Sequence, residues 1–245
     1  MNFKDLFSVQ AKEYSKYRPT YPKELFEFLS SIVDKNERAW DCATGSGQCA
    51  TGLVDFFDEV IATDASVSQI ENAVQHPKIK YSVATAEESG LPSEYVDLIT
   101  VATAIHWLDT EKFYPEAKRI LKPNGVLAVW VYYESFVEDK INSVFEKFSD
   151  IVRNHWHASA QNAWNFEERI HLPFEKVTMP EIIMEKNYSC KDYMNYLFTW
   201  SSAQNYLKEK NENPVSLIED ELRKAWGDAE RIVKWKLKLK AGRKI

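Results

Sequence analysis

The sequence contains little cysteine, and the spacing of its cysteines is wrong for cross-links or metal. There are 3 cysteines in 245 residues, Cys42, Cys49 and Cys190, and none of them forms a Cys-x-x-Cys pair. An odd number without paired spacing argues against a disulfide framework and a structural zinc site. The pair His155-x-His157 has no cysteine or carboxylate cluster beside it, so we predict no metal centre. This cysteine usage is typical of a reducing compartment, and we expect a cytoplasmic protein.

Long apolar runs and an excess of positive charge are also missing. No apolar stretch approaches the roughly 18 residues of a membrane-spanning helix, and the first residues contain no apolar signal region. The chain has 31 basic and 37 acidic residues, a net charge of −6, which argues against a general binder of nucleic acid. With 7 glycines and 9 prolines, no collagenous or long disordered tract fits the composition. We therefore expect neither a membrane nor a nucleic acid as a partner.

What the chain does contain is a regular alternation of strand and helix patterns. Between residues 22 and 131, short β-rich runs alternate with apolar residues at helical spacing, which indicates repeated βαβ units. The predicted class is therefore α/β, with a doubly wound and mostly parallel sheet. The five strands predicted in this part are residues 38–43, 60–63, 80–83, 96–102 and 126–131.

The second half of the chain has a different pattern. Residues 137–152 predict a long amphipathic helix, and two more helical stretches are predicted near 190–208 and 214–226. Two strand candidates remain. One lies near 174–187, and the other is the run 231–241, where apolar residues alternate with lysine as in a half-exposed strand.

The most specific motif is the turn Asp41-Cys-Ala-Thr-Gly45-Ser-Gly47-Gln48, which ends the first strand and opens a helix. Glycine at positions 45 and 47 permits positive φ and a close approach of the backbone to a ligand. The following helix N-terminus favours an anionic group such as a carboxylate. A tight turn without a ligand remains the alternative for this motif alone.

Residues after the second and third strands point to the same edge of the sheet. Asp64 closes the second strand, where a carboxylate can accept hydrogen bonds from both hydroxyls of a ribose. Ala65 beside it keeps the wall of the site flat. After the third strand, Ala86 and Glu87 place a small and a polar residue where an adenine ring would lie. Together these strand ends predict a nucleoside-containing cofactor.

At this point the sequence resembles the class I S-adenosylmethionine-dependent methyltransferases. Asp41, Gly45 and Gly47 match the acidic residue and two glycines of the family motif, and Ala43 replaces a family glycine. The resemblance covers nearly the whole chain. The opening FSVQAKEYSKYRPTYP, the segment IHWLD and the C-terminal stretch VKWKLKLKAGR are similar to a type-11 subgroup related to trans-aconitate methyltransferases.

The resemblance implies S-adenosylmethionine as the cofactor, a small-molecule acceptor, and O-methylation of a small carboxylic acid. It also implies a Rossmann-like, seven-stranded sheet with an antiparallel last strand and a helical cap. We predict one domain, 1–245. Its parts are an N-terminal lid segment 1–21, a cofactor-binding core 22–133, cap helices in 134–230 with a sheet strand near 174–187, and a last sheet strand 231–241.

The N-terminal segment supplies candidates for holding the cofactor. A tyrosine ring over a cationic sulfur contributes roughly 0.5–2 kcal/mol, and we predict Tyr14 for this contact. Arg18 is a candidate partner for the cofactor carboxylate. Thr103, after the fourth strand, completes the predicted cofactor set. The alternative for the segment is that its aromatic residues only pack the first helix onto the sheet.

His106 and Trp107 follow the fourth strand, whose carboxyl end also faces the predicted site. With an ordinary pKa of about 6.5, His106 is a candidate for orienting or deprotonating the acceptor. Trp107 is a candidate wall of the acceptor pocket. Structural roles remain the alternative for both, since a histidine can cap the next helix and a tryptophan can fill a core.

Two other functions stay open on sequence grounds. Tyr114 and Lys118 have the Tyr-x-x-x-Lys spacing of short-chain dehydrogenases, which would suit a nicotinamide oxidoreductase. Ala43 in the glycine motif would suit a protein that binds the cofactor but has lost turnover.

Overall fold

The structure is a computed structural model that describes residues 17–157, 159 and 165–245. Its first half follows the predicted βαβ order. The elements are α1 (Lys23–Ser31), β1 (Arg38–Cys42), α2 (Gln48–Leu53), β2 (Glu59–Asp64), α3 (Val67–Glu71), β3 (Ile79–Val83), β4 (Val96–Ala102), α4 (Thr110–Ile120) and β5 (Leu121–Val131), with a 3-10 turn at Ile105–Trp107.

The second half contains most of the helices outside the βαβ units. Its elements are α5 (Asp139–Val152), a 3-10 turn at Arg153–His155, α6 (Phe166–Arg169), β6 (Glu175–Val177), β7 (Ile183–Tyr188), α7 (Cys190–Phe198), α8 (Ser201–Lys210), α9 (Glu219–Trp226), β8 (Arg231–Lys236) and β9 (Lys238–Arg243).

Seven strands form the main sheet, in the order β3-β2-β1-β4-β5-β9-β6. Strands β1 to β5 pair in parallel, and β9 runs antiparallel to both β5 and β6. This confirms the predicted Rossmann-like sheet with its antiparallel last strand. The strand order reverses between β1 and β4, and doubly wound sheets bind ligands outside the carboxyl ends of their strands at such a point.

The two faces of the sheet are covered by separate apolar clusters. In β5, Ala128 and Trp130 join the cluster that includes α1, α2 and α5, while Val129 and Val131 join the cluster of α4. Successive side chains of a strand point to opposite faces, so one strand contributes to both clusters. Among the residues described, no helix combines the length and apolar composition needed to cross a membrane.

The prediction of one sheet strand over 231–241 is wrong. The segment contains two strands, because β8 pairs with β7 in a separate two-stranded sheet and β9 alone joins the main sheet. The segment near 174–187 is divided in the same way, between β6 and β7. The period-two pattern continues through Leu237 because both strands bury one face, and such a pattern carries no information about which strand is the partner.

The predicted helical cap is present, and we use "cap" for α5, α7, α8 and α9 together with the β7–β8 sheet. The stretch predicted as one helix near 190–208 is two helices, separated at Thr199 and Trp200. Aromatic side chains fill the interior of the cap. Those fully or nearly fully buried there are Phe148, Tyr188, Tyr193, Tyr196, Trp200, Trp226 and Trp235.

Candidate active site

The glycine loop lies at the carboxyl end of β1, at the point where the strand order reverses. Backbone φ is positive at Ala43, Gly45 and Gly47, at 55°, 58° and 85°. The amide of Thr44 donates to the carbonyl of Thr63 over 2.9 Å, which fixes the loop against the end of β2. Helix α2 begins directly after Gly47. The predicted turn is therefore present and opens onto the expected edge of the sheet.

The buried carboxylate of Asp41 binds the loop and the helix that follows it. Its side chain is fully buried, and its carboxylate accepts hydrogen bonds from the Thr44 hydroxyl, from the Thr100 hydroxyl at 2.8 Å and from the Ala50 amide at 3.0 Å. Because no part of Asp41 reaches the surface, the geometry makes it a positioning residue rather than a direct cofactor contact. Thr44 and Thr100 were missed by sequence reasoning; the only signal was a threonine within the apolar strand β4.

Gly45 and Gly47 serve different purposes. A Cβ placed on Gly45 would have its nearest neighbour, Gln69 Oε1, 3.9 Å away, so the space above Gly45 is open. A Cβ on Gly47 would lie 2.1 Å from the Tyr81 hydroxyl. Gly47 is therefore required by packing within the protein, while Gly45 leaves a cradle that a ligand can occupy. This cradle fits a backbone-contacting cofactor.

Ala43 adopts the backbone conformation that the family glycine would adopt. A left-handed conformation costs an alanine roughly 1–2 kcal/mol relative to the right-handed region. The rest of the loop shows no distortion beside Ala43. Gly45 and Gly47 have positive φ, and the Asp41 carboxylate accepts all three of its hydrogen bonds. The substitution therefore leaves the shape of the loop intact.

Asp64 lies beside the loop at the end of β2. Its Oδ2 accepts from the Gly45 amide at 2.9 Å, and its Oδ1 accepts from the Ser66 amide at 2.9 Å. A carboxylate offers about four acceptor positions, so a group held in this way can also take hydroxyl donors. Ala65 follows it and is partly exposed. The predicted contact of Asp64 and Ala65 with the ribose end of a cofactor is consistent with this position.

Ala86 and Glu87 lie where the chain passes from β3 toward β4. Ala86 is buried in the apolar cluster of the α4 face. The Glu87 carboxylate accepts from the amide of Asp109 at 2.9 Å, directly before α4 begins. Glu87 thus joins the loop after β3 to the start of α4, on the same edge of the sheet as Asp64. Their predicted place beside adenine stays a prediction.

The N-terminal segment crosses this edge of the sheet. The Tyr21 hydroxyl is 3.2 Å from the Thr103 hydroxyl, and the side-chain amide of Gln48 donates to the Pro19 carbonyl at 3.3 Å. Thr103 has a φ of 56°, unusual for a β-branched residue. Residues 17–21 therefore bridge the glycine loop and the end of β4. Tyr21 was not predicted, and Tyr14 lies outside the described residues.

Arg18 points toward the cap. Its guanidinium lies 5.4 Å from the Tyr196 ring centroid and donates to the Thr199 carbonyl at 3.3 Å, at the end of α7. Its own carbonyl accepts from Lys186 at 3.0 Å. The structure thus ties Arg18 to the cap, and its predicted contact with a cofactor carboxylate stays a prediction.

His106 lies in the short 3-10 turn after β4. Its pKa differs from the value expected from the sequence. Burial lowers its pKa from 6.5 to about 4, so the imidazole is neutral at neutral pH. Its Nδ1 is buried and has no hydrogen-bond partner within the described parts of the chain. The Trp107 ring lies 5.1 Å from the His106 ring and 5.2 Å from the His157 ring. The expected pKa of about 6.5 for His106 is therefore wrong, because its surroundings disfavour the charged form.

The described residues contain no group of three or more histidine, cysteine, aspartate or glutamate side chains that could hold a metal ion. His155 instead pairs with Glu209, with 3.0 Å between His155 Nδ1 and Glu209 Oε2.

Comparisons with known proteins agree with this geometry. Residues 40–129 match the family model described as "Methyltransferase domain". A relative from Dictyostelium discoideum, named as a methyltransferase, is 34% identical over 239 residues, which cover 94% of this chain and 91% of the relative. An uncharacterized methyltransferase of Mycobacterium tuberculosis is 35% identical over 128 residues, 51% of each chain. A solved structure described as a type II methyltransferase from Anaeromyxobacter dehalogenans has a TM-score of 0.87 and 31% identity, and the match covers 93% of this chain and 98% of that one.

A doubly wound sheet with a glycine loop at its reversal point and a carboxylate after the second strand defines an enzyme of the Rossmann-like class with a nucleoside-containing cofactor. The chain belongs to the S-adenosylmethionine-dependent methyltransferases, and S-adenosylmethionine is its cofactor. This family membership replaces the oxidoreductase hypothesis that the spacing of Tyr114 and Lys118 had left open.

Proposed function

We propose that the protein transfers the methyl group of S-adenosylmethionine to a carboxylate oxygen of a small organic acid. The observation that carries the proposal is the state of His106, whose pKa of about 4 makes it a weak base at neutral pH. A carboxylic acid with an ordinary pKa of about 4 is already ionised there and needs no base. A hydroxyl or amine acceptor would have to lose a proton during transfer.

The resemblance of the chain to trans-aconitate methyltransferases supports the same acceptor class. The charge balance does not favour such an acceptor: a net charge of −6 repels an acid, so binding requires positive charge placed locally at the site. The guanidinium of Arg18, which the sequence suggested for the cofactor carboxylate, contacts the cap.

Bound S-adenosylmethionine supplies a methyl group that its positively charged sulfur activates toward nucleophiles. The residues of this chain have to bind and align the two reactants. The loop at residues 43–47 provides the cradle, Asp64 the acceptor oxygens, and residues 17–21 a covering segment held by Tyr21 and Gln48. Alignment of two reactants at about 3–3.5 Å can lower a barrier by roughly 7–11 kcal/mol. His106 orients the acceptor through hydrogen bonding.

The test is a methylation assay with labelled S-adenosylmethionine on mono-, di- and tricarboxylic acids, including trans-aconitate, with alcohols and amines of matched size as controls. We expect transfer to a carboxylic acid, with kcat flat from about pH 6 upward in the native enzyme and in His106→Gln. Exclusive transfer to an alcohol or amine would reject the carboxylate assignment. A rate that rises through a pKa near 6.5 and loses that rise in His106→Gln would make His106 the base.

A further inference from the structure

Tyr133 is a partly buried tyrosine whose hydroxyl has no hydrogen-bond partner among the described residues. It lies two residues beyond the end of β5 and packs against the apolar cluster of the α4 face. Its hydroxyl is buried and makes no hydrogen bond to any described residue. Buried hydroxyls are nearly always paired, so an unpaired one calls for a partner such as a ligand. Burial also raises the pKa of the Tyr133 phenol, so it stays protonated and able to donate.

Lys238 accompanies this hydroxyl. Its ammonium lies 5.6 Å from the centroid of the Tyr133 ring. The neighbouring lysines of the alternating run are ion-paired: Lys234 with Glu185, Lys236 with Glu181, and Lys240 with Glu167. Lys238 is exposed and, within the described ranges, has no carboxylate partner. An unneutralised cation thus lies beside an unpaired donor.

The pair lies at the carboxyl end of the parallel strands. Lys238 is in register with Val131, the last residue of β5, because β9 begins at the end where β5 finishes. The Thr103 amide donates to the Trp130 carbonyl at 2.7 Å, which brings the end of β4 beside the end of β5. Ile105, next to His106, belongs to the same apolar cluster as Tyr133. The pair is therefore on the side of His106, one strand further from the glycine loop.

We propose that Tyr133 and Lys238 form a subsite for a carboxylate of the acceptor that is not the one methylated. This proposal rests on the proposed function and narrows it to acids with at least two anionic groups. An ammonium contact would draw electron density from a reacting oxygen, so it suits an anchoring carboxylate better than a nucleophilic one. Lys238 supplies charge and Tyr133 supplies a directed O–H donor, as recognition of a carboxylate requires.

The test measures binding without turnover. The protein is loaded with S-adenosylhomocysteine and titrated in a calorimeter with succinate, fumarate, glutarate and trans-aconitate, each compared with its fully methylated ester, which has no carboxylate left. We expect at least one free acid to bind more tightly than its ester. Lys238→Met should weaken that acid about tenfold or more and Tyr133→Phe by several-fold, with the ester nearly unaffected.

Lys236→Met is the matched control, because it removes the same charge from an exposed lysine that is already paired with Glu181. It should leave the affinity of the acid unchanged. Equal weakening by Lys236→Met and Lys238→Met would reduce the effect to general electrostatics and overturn the subsite. No preference of the native protein for any free acid over its ester would overturn it as well.

The two proposals fail in different ways. If dicarboxylates bind through Lys238 but no carboxylic acid is methylated, the proposed function falls while the anion subsite stands. If a dicarboxylic acid is methylated at a rate and KM that Lys238→Met does not change, the proposed function stands and the subsite falls.

Discussion

The cofactor side and the acceptor side of this enzyme satisfy their polar groups in opposite ways. On the cofactor side, each carboxylate binds backbone amides of the neighbouring loop: Asp41 binds Ala50, Asp64 binds Gly45 and Ser66, and Glu87 binds Asp109. On the acceptor side, His106 Nδ1 and the Tyr133 hydroxyl are buried without a partner among the described residues. The carboxylates of the first region are held in position by the protein itself, whereas the two buried polar atoms of the second have no such partner among the described residues.

This difference indicates which region depends on the fold and which depends on the ligand. Substitutions on the cofactor side should disturb backbone geometry and stability together. Substitutions on the acceptor side should change pH dependence or affinity with smaller effects on folding. Substitutions of Gly45, Asp41, His106 and Ala43 test that division.

The largest effect is expected from Gly45→Val. The side chain would fill the open cradle above the loop, so binding of S-adenosylhomocysteine should fall below detection in calorimetry, while the protein stays folded. Gly90→Val is the control, since Gly90 also has positive φ, at 72°, but is exposed and outside the loop. Its backbone strain is similar, and its cofactor affinity should be retained. Binding by Gly45→Val with native affinity would remove the cradle assignment.

Asp41→Ala should lower the free energy of unfolding by about 3–5 kcal/mol, because it leaves two hydroxyls and one amide without their acceptor in a buried place. Urea unfolding followed by fluorescence measures the change. Asp55→Ala, at an exposed carboxylate between α2 and β2, should change it by less than about 0.5 kcal/mol. A loss below 1 kcal/mol for Asp41→Ala would contradict the positioning role.

His106 should make stability depend on pH below neutrality. Its pKa is about 4 in the folded protein and about 6.5 when unfolded, so the unfolded chain binds more protons between these values. The stabilisation is fully present above pH 6.5 and is lost as the pH falls toward 4, on the order of 3 kcal/mol in total.

This component should disappear in His106→Gln and persist in His76→Gln, where the histidine is exposed. Urea unfolding at several values between pH 4.5 and 7.5 gives the slopes. Identical slopes in the native protein and His106→Gln would show that the imidazole is accessible to protons in the folded state.

The smallest effect is expected from Ala43→Gly. Relief of about 1–2 kcal/mol of left-handed strain is offset by about 0.4–1 kcal/mol of extra entropy in the unfolded chain. Stability should rise by no more than about 1.6 kcal/mol, and the affinity for S-adenosylhomocysteine should stay within about threefold. If this substitution instead conferred activity on an inactive parent, the native chain would be a cofactor-binding protein that has lost turnover.

The glycine loop and the carboxylate at the end of β2 could be predicted from the sequence because their positions follow local rules. A small-residue turn after a strand and an acidic residue at the end of the next strand each have a short-range signature. The exception is Asp41, whose burial depends on Thr100, 59 residues away in sequence and adjacent only after β1 and β4 pair.

The acceptor side could not be predicted to the same depth, because its features depend on packing. The pKa of His106 is set by the neighbours that exclude water from it. Arg18 contacts Thr199 across 181 positions of sequence. The missing hydrogen-bond partner of the Tyr133 hydroxyl has no sequence signature, because it depends on which groups the fold places around that atom.

A single residue, Leu237, separates the last strand of the cap sheet from the last strand of the main sheet. Its amide donates to the Ile182 carbonyl at 3.0 Å, so the amide of this one-residue connection is already bound. A hinge needs a few residues that can change φ and ψ, whereas this connection consists of one residue. We therefore expect the cap and the main sheet to move together along this edge. A force applied to β8 would be transmitted directly into β9, and the Leu237 amide should exchange its hydrogen as slowly as the strands on either side.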